Sequence, residues 1–242
     1  MQKTALITGA SKRIGKAIAQ FLASQGWNVA IHFNRSSAEA KKLRDALRQQ
    51  FPQNDFDIFQ ANLMDESEIQ QLIPAVLKRF ESLDLLVNNA SVFEPSSLKE
   101  TSSELLQQQM TVNFQAPFLL CRDLAKACEK SLIINFVDTR ITNNRSNFAA
   151  YSISKKALWE LTKMAALEFA PNIRVNAIAP GVSLPPEDKD EKYLWSLASN
   201  IPMQKPGGLE PILRSIDFIL ANDHLTGQLL FADGGENLGK NN

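Results

Sequence analysis

Short apolar runs along this chain alternate with longer stretches whose apolar positions recur at helical spacing. Residues 4–8 form the first run. Ile14, Ala17, Ile18, Phe21 and Leu22 then share one side of a helix, with Gly26 placed to cap its end. The same rhythm predicts further strands at 28–33, 56–60, 83–88, 131–137, 173–178 and 228–231, and helices at 36–47, 66–80, 101–127, 150–169 and 209–220. Ser36-Ser37-Ala38-Glu39 has the form of a capping box, Pro74 predicts a kink, and Pro117 predicts a break or bend in the longest helix. Strands that are nearly continuous apolar runs, spaced by helices, belong to a parallel sheet covered on both faces. Right-handed crossovers then give an α/β fold, a doubly wound parallel sheet of about seven strands with helices on both faces. No linker or repeat divides the chain, so residues 1–242 are expected to form a single domain. Only the segment 180–206 breaks the rhythm, with Pro180, Pro185, Pro186, Pro202 and Pro206 around a short helical piece at 193–198. Its part 181–206 is the expected substrate-binding loop.

Composition removes several classes of function. The 26 Lys and Arg balance 26 Asp and Glu, for a formal net charge of zero. Such a chain lacks the overall pull that nucleic acid or an anionic membrane requires, so neither is an expected partner. Lys41-Lys42-Leu43-Arg44 reads as a solvated helix face. No apolar run approaches the ~20 residues of a membrane span. With two His and two Cys, a Cys-rich zinc site cannot be built and no metal is expected. A Ser–His–Asp hydrolase would have to use His32 or His224. The Cys count and the lack of an opening secretion signal point to a cytoplasmic location. Cys121 and Cys128 read as packing residues of one helix, as do Leu158, Trp159, Leu161 and Met164 of another. Tyr193 and Trp195, in the long loop, either touch substrate or pack on the surface.

The chemistry begins at Thr8–Gly15, between the first strand and the first helix. Gly9 permits a tight turn and Gly15 a close approach of helix to sheet, while the amides of Lys12, Arg13 and Ile14 open a helix toward a pyrophosphate. That is a Rossmann-like phosphate turn. Arg13 stands where a middle Gly is usual, and would lie near the adenosine end of a cofactor. The second strand ends His32-Phe33-Asn34-Arg35-Ser36, with no carboxylate to bind a ribose 2′-hydroxyl. Arg13, Arg35 and Ser36 suit a 2′-phosphate, so NADPH is the expected cofactor. Lys12 completes a positive cluster with Arg13 and Arg35. Tyr151 and Lys155 share one face at i, i+4, and the ammonium is expected to lower the tyrosine pKa from its usual value of about 10 and make Tyr151 a proton donor. Asp138 stands at the carboxyl end of the preceding strand.

With Asn88-Asn89-Ala90, Asn113, Arg174-Val175-Asn176, Pro180-Gly181 and Asp233-Gly234-Gly235, these elements resemble the short-chain dehydrogenase/reductase family over essentially the whole chain. The resemblance implies that Lys155 binds the nicotinamide ribose and that Asn113 helps hold Lys155 through water. It implies further cofactor contacts from His32, Asn34, Asn62, Leu63, Asn89, Ala90, Ser91, Pro180, Gly181 and Ser183, and a homotetramer assembled through the long helices. Three departures from the common pattern (Arg13, Ser91 after Asn-Asn-Ala, and Asp138 in place of a catalytic Ser) are similar to pteridine reductases and bacterial dihydromonapterin reductases. So are the strings His32–Ser36 and Asn89-Ala90-Ser91-Val92-Phe93. This resemblance implies a pterin stacked between Phe93 and the nicotinamide, with Arg13, Ser91, Asp138 and Tyr151 around it. The activity it implies is NADPH-dependent reduction of a dihydropterin, of the dihydrobiopterin or dihydromonapterin type, to the tetrahydropterin. The chemistry agrees, because reducing a C=N bond requires a hydride on carbon and a proton on nitrogen. An Asp beside Tyr151 can relay that proton, where a Ser would polarise a ketone oxygen. The alternatives are a short-chain reductase of a ketone, 3-oxoacyl chain or quinone, and a non-catalytic NADPH-binding sensor; the intact Asn113, Tyr151 and Lys155 argue against the sensor.

Overall fold

The computed structural model describes residues 2–186 and 189–239, so residues 187 and 188 of the expected substrate loop lie outside the described residues. Seven parallel strands form one sheet in the order β3-β2-β1-β4-β5-β6-β7. They are β1 (Thr4–Ile7), β2 (Asn28–Phe33), β3 (Phe56–Gln60), β4 (Leu85–Asn88), β5 (Ser131–Phe136), β6 (Ile173–Pro180) and β7 (Leu229–Ala232). The helices are α1 (Arg13–Ser24), α2 (Ser37–Gln50), α3 (Glu66–Phe80), α4 (Ser103–Met110), α5 (Ala116–Ala127), α6 (Ala149–Phe169), α7 (Glu191–Ala198) and α8 (Glu210–Ala221).

The pleat sorts each strand between two cores. Ala5 and Ile7 of β1 pack with Ile18 and Leu22 of α1 and Ile216 of α8. Leu6 between them packs on the other face with Ile73 of α3, Leu120 of α5 and Ala165 of α6. Both faces of β1 are therefore apolar, which is why its run reads as continuous. The strand order reverses between β1 and β4, and a crevice opens there at the carboxyl ends.

The helix foreseen at 101–127 does change its winding near Pro117. A π-helical segment, Thr111–Gln115, joins α4 to α5, and Pro117 sits in the first turn of α5, where its missing N–H costs nothing. The capping box at Ser36 does not form. Ser36 makes no side-chain cap bond to α2, and Glu39 instead pairs with Lys12 at 2.9 Å. By contrast α3 runs unbroken across Pro74. Met164 is exposed and does not pack, whereas Leu158 and Leu161 are buried. Among the described residues, no helix is long and apolar enough to cross a membrane.

Candidate active site

A groove of about 800 Å³ follows the carboxyl ends of the strands. Apart from Asn113, Tyr193 and Trp195, every residue singled out above for cofactor, substrate or catalysis lines it. Its two ends are built differently.

At the phosphate end the turn after β1 is fixed on both sides. Asn89, after β4, donates its side-chain amide to the carbonyls of Thr8 (2.8 Å) and Gly9 (3.3 Å). The Thr8 hydroxyl accepts from the amides of Asn89 and Ala90, both at 3.0 Å. From the other side the Gly9 amide donates to Nδ1 of His32 at 3.0 Å, and the Ala10 amide donates to the His32 carbonyl at 2.9 Å. Gly9 has φ +63°, a left-handed conformation that glycine takes without strain. A Cβ at Gly15 would stand 2.3 Å from the Gly9 carbonyl oxygen, so only glycine lets α1 approach the turn this closely. The N-cap of α1, Lys12, contributes no side-chain cap. The amides of the first turn of α1 therefore have no intrahelical partner and face the groove as an anion site.

The charges around this end are arranged otherwise than the sequence suggests. Lys12 is held by Glu39. Arg13, with φ +51°, turns away from the end of β2, and its guanidinium donates to the Pro185 carbonyl at 2.9 Å. The loop after β6 supplies an open carbonyl there, and the end of β2 offers no carboxylate. Arg35 is exposed at the end of β2, beside half-buried Ser36. Asn34 donates to the Asn62 side chain at 3.3 Å, joining the end of β2 to the loop after β3. His32 borders the groove from beneath the turn, where its side chain is buried. Burial pushes its pKa down to about 4.

At the other end Asp138 follows β5 and begins a short 3₁₀ turn, Thr139–Thr142. One carboxylate oxygen accepts the Arg140 amide at 2.8 Å, and the other accepts the Tyr151 hydroxyl at 2.9 Å. Lys155 is buried and donates Nζ to the Phe136 carbonyl at 2.8 Å. Burial lowers its pKa to about 8, opposed by the negative charge of Asp138. The tyrosine differs from the expectation of an acidified phenol. Its pKa lies well above the usual value, because the ring is buried and because its hydroxyl faces the Asp138 carboxylate. Arg140 and the Ser91 hydroxyl pull the other way, more weakly. Tyr151 is thus held as a protonated donor.

Asn113 lies behind this pair, in the π segment. Its side chain accepts from the Val92 amide (2.9 Å) and the Ser91 hydroxyl (3.0 Å), and donates to the Val92 carbonyl (2.9 Å) and to Ser154 (3.1 Å). Its direct partners are therefore the segment before Phe93 and the helix of Tyr151. The Ser91 hydroxyl thus reaches both this anchor and Tyr151. Phe93 is 52% exposed, so it is not a core residue. Its ring stacks on Phe148 at 4.4 Å between centroids and meets Tyr151 edge-on at 4.6 Å. Arg140 caps Phe148, 4.2 Å from its centroid. Sequence reasoning missed Phe148 and Arg140; the available signal was their closeness in the chain to Tyr151 and Asp138. Pro180, Gly181 and Ser183 border the groove, and the Ser183 hydroxyl donates to the Gly181 carbonyl at 2.9 Å. Leu194 and Leu197 of α7 turn into the groove, while Tyr193 and Trp195 are exposed.

Cys121 is buried in the core, which pushes its thiol up to about 12, and Cys128 is half-buried. Among the described residues no group of three or more His, Cys, Asp or Glu could hold a metal ion.

The short chain dehydrogenase family model matches residues 3–192. The chain is 32% identical to glucose 1-dehydrogenase of Gluconobacter oxydans, with 96% of this chain and 91% of that protein covered. It is 28% identical to pteridine reductase 1 of Leishmania tarentolae, covering 97% and 96% respectively. Among solved structures it is similar to FolM alternative dihydrofolate reductase 1 from Brucella canis, complexed with NADP. There the TM-score is 0.90 at 34% identity, with 98% of this chain and 95% of that chain covered.

Proposed function

Because the chain belongs to the short-chain dehydrogenase family, we propose that it is an NADPH-dependent pteridine reductase, turning a dihydropterin into the tetrahydropterin. The observation that carries this reading is the 2.9 Å hydrogen bond from Tyr151 to the Asp138 carboxylate, made beside the half-exposed ring of Phe93. A ketone-reducing site of this family needs a hydroxyl where Asp138 stands. A C=N bond needs a proton on nitrogen, and two acids in series can supply it.

The groove suits the cofactor by its donors. The open amides of α1 suit a pyrophosphate, and Arg35 and Ser36 suit a 2′-phosphate, with no carboxylate on β2 to repel it. Lys155, fixed through Phe136, would hold the nicotinamide ribose. The chemistry that bound NADPH supplies is a hydride for the carbon of the C=N bond. Phe93 offers a flat apolar face to the heterocycle, braced from behind by Phe148. Tyr151 passes its hydroxyl proton to the ring nitrogen, and the carboxylate of Asp138, half-buried and open to solvent, takes up a solvent proton and hands it to the phenolate. The net uptake is one hydride and one solvent proton. The similarity to a pteridine reductase and to an alternative dihydrofolate reductase complexed with NADP supports both substrate and cofactor. The whole chain serves as one catalytic domain, with 181–206 as its substrate-binding loop. Exposed Leu106, Phe118 and Ile153 on α4–α6 are where the homotetramer would join.

The test is NADPH oxidation with dihydrobiopterin, dihydromonapterin and dihydrofolate, beside a panel of ketones, a 3-oxoacyl thioester and a quinone. Turnover with a pterin is expected. Turnover on the carbonyl panel alone would replace the substrate, and tight NADPH binding without any turnover would make the protein a sensor.

A further inference from the structure

The two ends of His32 meet two backbone groups whose roles are fixed. An amide can only donate, so the Gly9 N–H at 3.0 Å requires a bare Nδ1. A carbonyl can only accept, so the Ala61 oxygen at 3.1 Å requires the proton on Nε2. The pair of contacts selects one neutral tautomer. The same residue takes the next amide of the turn, Ala10, on its own carbonyl. One residue of β2 thus consumes the two leading amides of the phosphate turn and leaves those of the first turn of α1 for a ligand. Its other contact, Ala61, begins the segment that carries Asn62 and Leu63 along the groove.

We infer that His32 is a positioning residue for the dinucleotide, an imidazole strut that fixes the phosphate turn against the loop after β3 without touching the cofactor. It does not act at the reacting atoms. The inference rests on reading the groove as an NADPH site, and it assigns His32 a role distinct from the surface contacts of Arg35 and Ser36.

The two amide side chains separate this role from simple packing. In His32→Asn the side-chain oxygen falls where Nδ1 stands and can accept from Gly9. In His32→Gln the amide reaches the place of Nε2 and leaves Gly9 unpartnered. NADPH dissociation constants, measured by fluorescence titration, are expected within about 3-fold of the unaltered protein for Asn. For Gln they should rise by about 10-fold or more, the usual cost of orphaning a buried donor. Turnover at saturating NADPH should stay within about 2-fold for both, since the reacting groups are untouched. Nitrogen-15 NMR of the unaltered protein should show the His32 proton on Nε2, with and without NADPH. Equal losses for Asn and Gln would overturn the inference, and a proton on Nδ1 of the unaltered protein would overturn it even if neither variant folded well enough to assay. Failure of the unaltered protein to bind NADPH would overturn the dinucleotide reading, and this one with it.

Discussion

The two ends of the groove are held by different means. At the phosphate end, the turn after β1 is tied down by three side chains at or just after strands: Thr8 after β1, His32 in β2 and Asn89 after β4. At the substrate end Tyr151 and Lys155 sit on α6, but the side chains that face them sit on irregular segments. Asp138 begins a 3₁₀ turn, and Phe93 rides a segment anchored through Asn113. The loop after β6 returns to the body through scattered bonds, among them Arg13 to Pro185 (2.9 Å), Gly207 to Val182 (3.0 Å) and Met203 to Gly234 (3.1 Å). On the function proposed, such a site should separate its tasks: changes at the first end should alter cofactor affinity and stability, and changes at the second the chemical step and substrate choice.

Tyr151→Phe should make the largest difference and should not cross that division. Losing a general acid typically costs about 10³-fold in turnover, while NADPH affinity should stay within about 2-fold. Pre-steady-state NADPH oxidation and a binding titration measure the two separately; a matching fall in NADPH affinity would blur the two ends.

Acid should act on the first end. His32 is neutral in the fold with a pKa near 4, against 6.5 for a free imidazole. Between those values the unfolded chain binds a proton that the folded chain refuses, so stability falls as pH drops from 6.5 toward 4. The loss approaches about 3 kcal/mol at the acid limit. Urea unfolding of the unaltered protein and His32→Asn across this range should show a shallower acid loss in the variant; parallel curves would contradict it.

The smallest effect belongs to the bond from the start of α1 to the loop after β6. Arg13 reaches Pro185 from an exposed position. Its replacement by Met should raise the pterin KM by about 3- to 10-fold, in line with one charge-assisted bond. A larger change in NADPH affinity than in pterin KM would place the guanidinium on the cofactor instead.

How much of this could be read in the chain follows from the range of each interaction. The sheet was legible because burial on both faces makes each parallel strand a continuous apolar run, as in Thr4–Ile7. The groove residues were legible because turns at strand ends keep their chemistry local, as in Thr8–Gly15. The failures came where a distant partner outweighs a local pattern. Glu39 looks like half of a capping box until Lys12 of another element takes it. Arg13 finds its acceptor 172 residues away. The ionisation of Tyr151 depends on burial and on a carboxylate that the i, i+4 pairing with Lys155 does not contain.

The central claim is that Asp138 turns a carbonyl-reducing frame into one that protonates a ring nitrogen. It is tested most directly by kcat/KM for a dihydropterin and for a ketone, in the unaltered protein and in Asp138→Ser. The unaltered protein should favour the pterin, and the variant should lose about 10²-fold on the pterin while its ratio moves toward the ketone. Pterin reduction that survives the substitution unchanged would contradict the account.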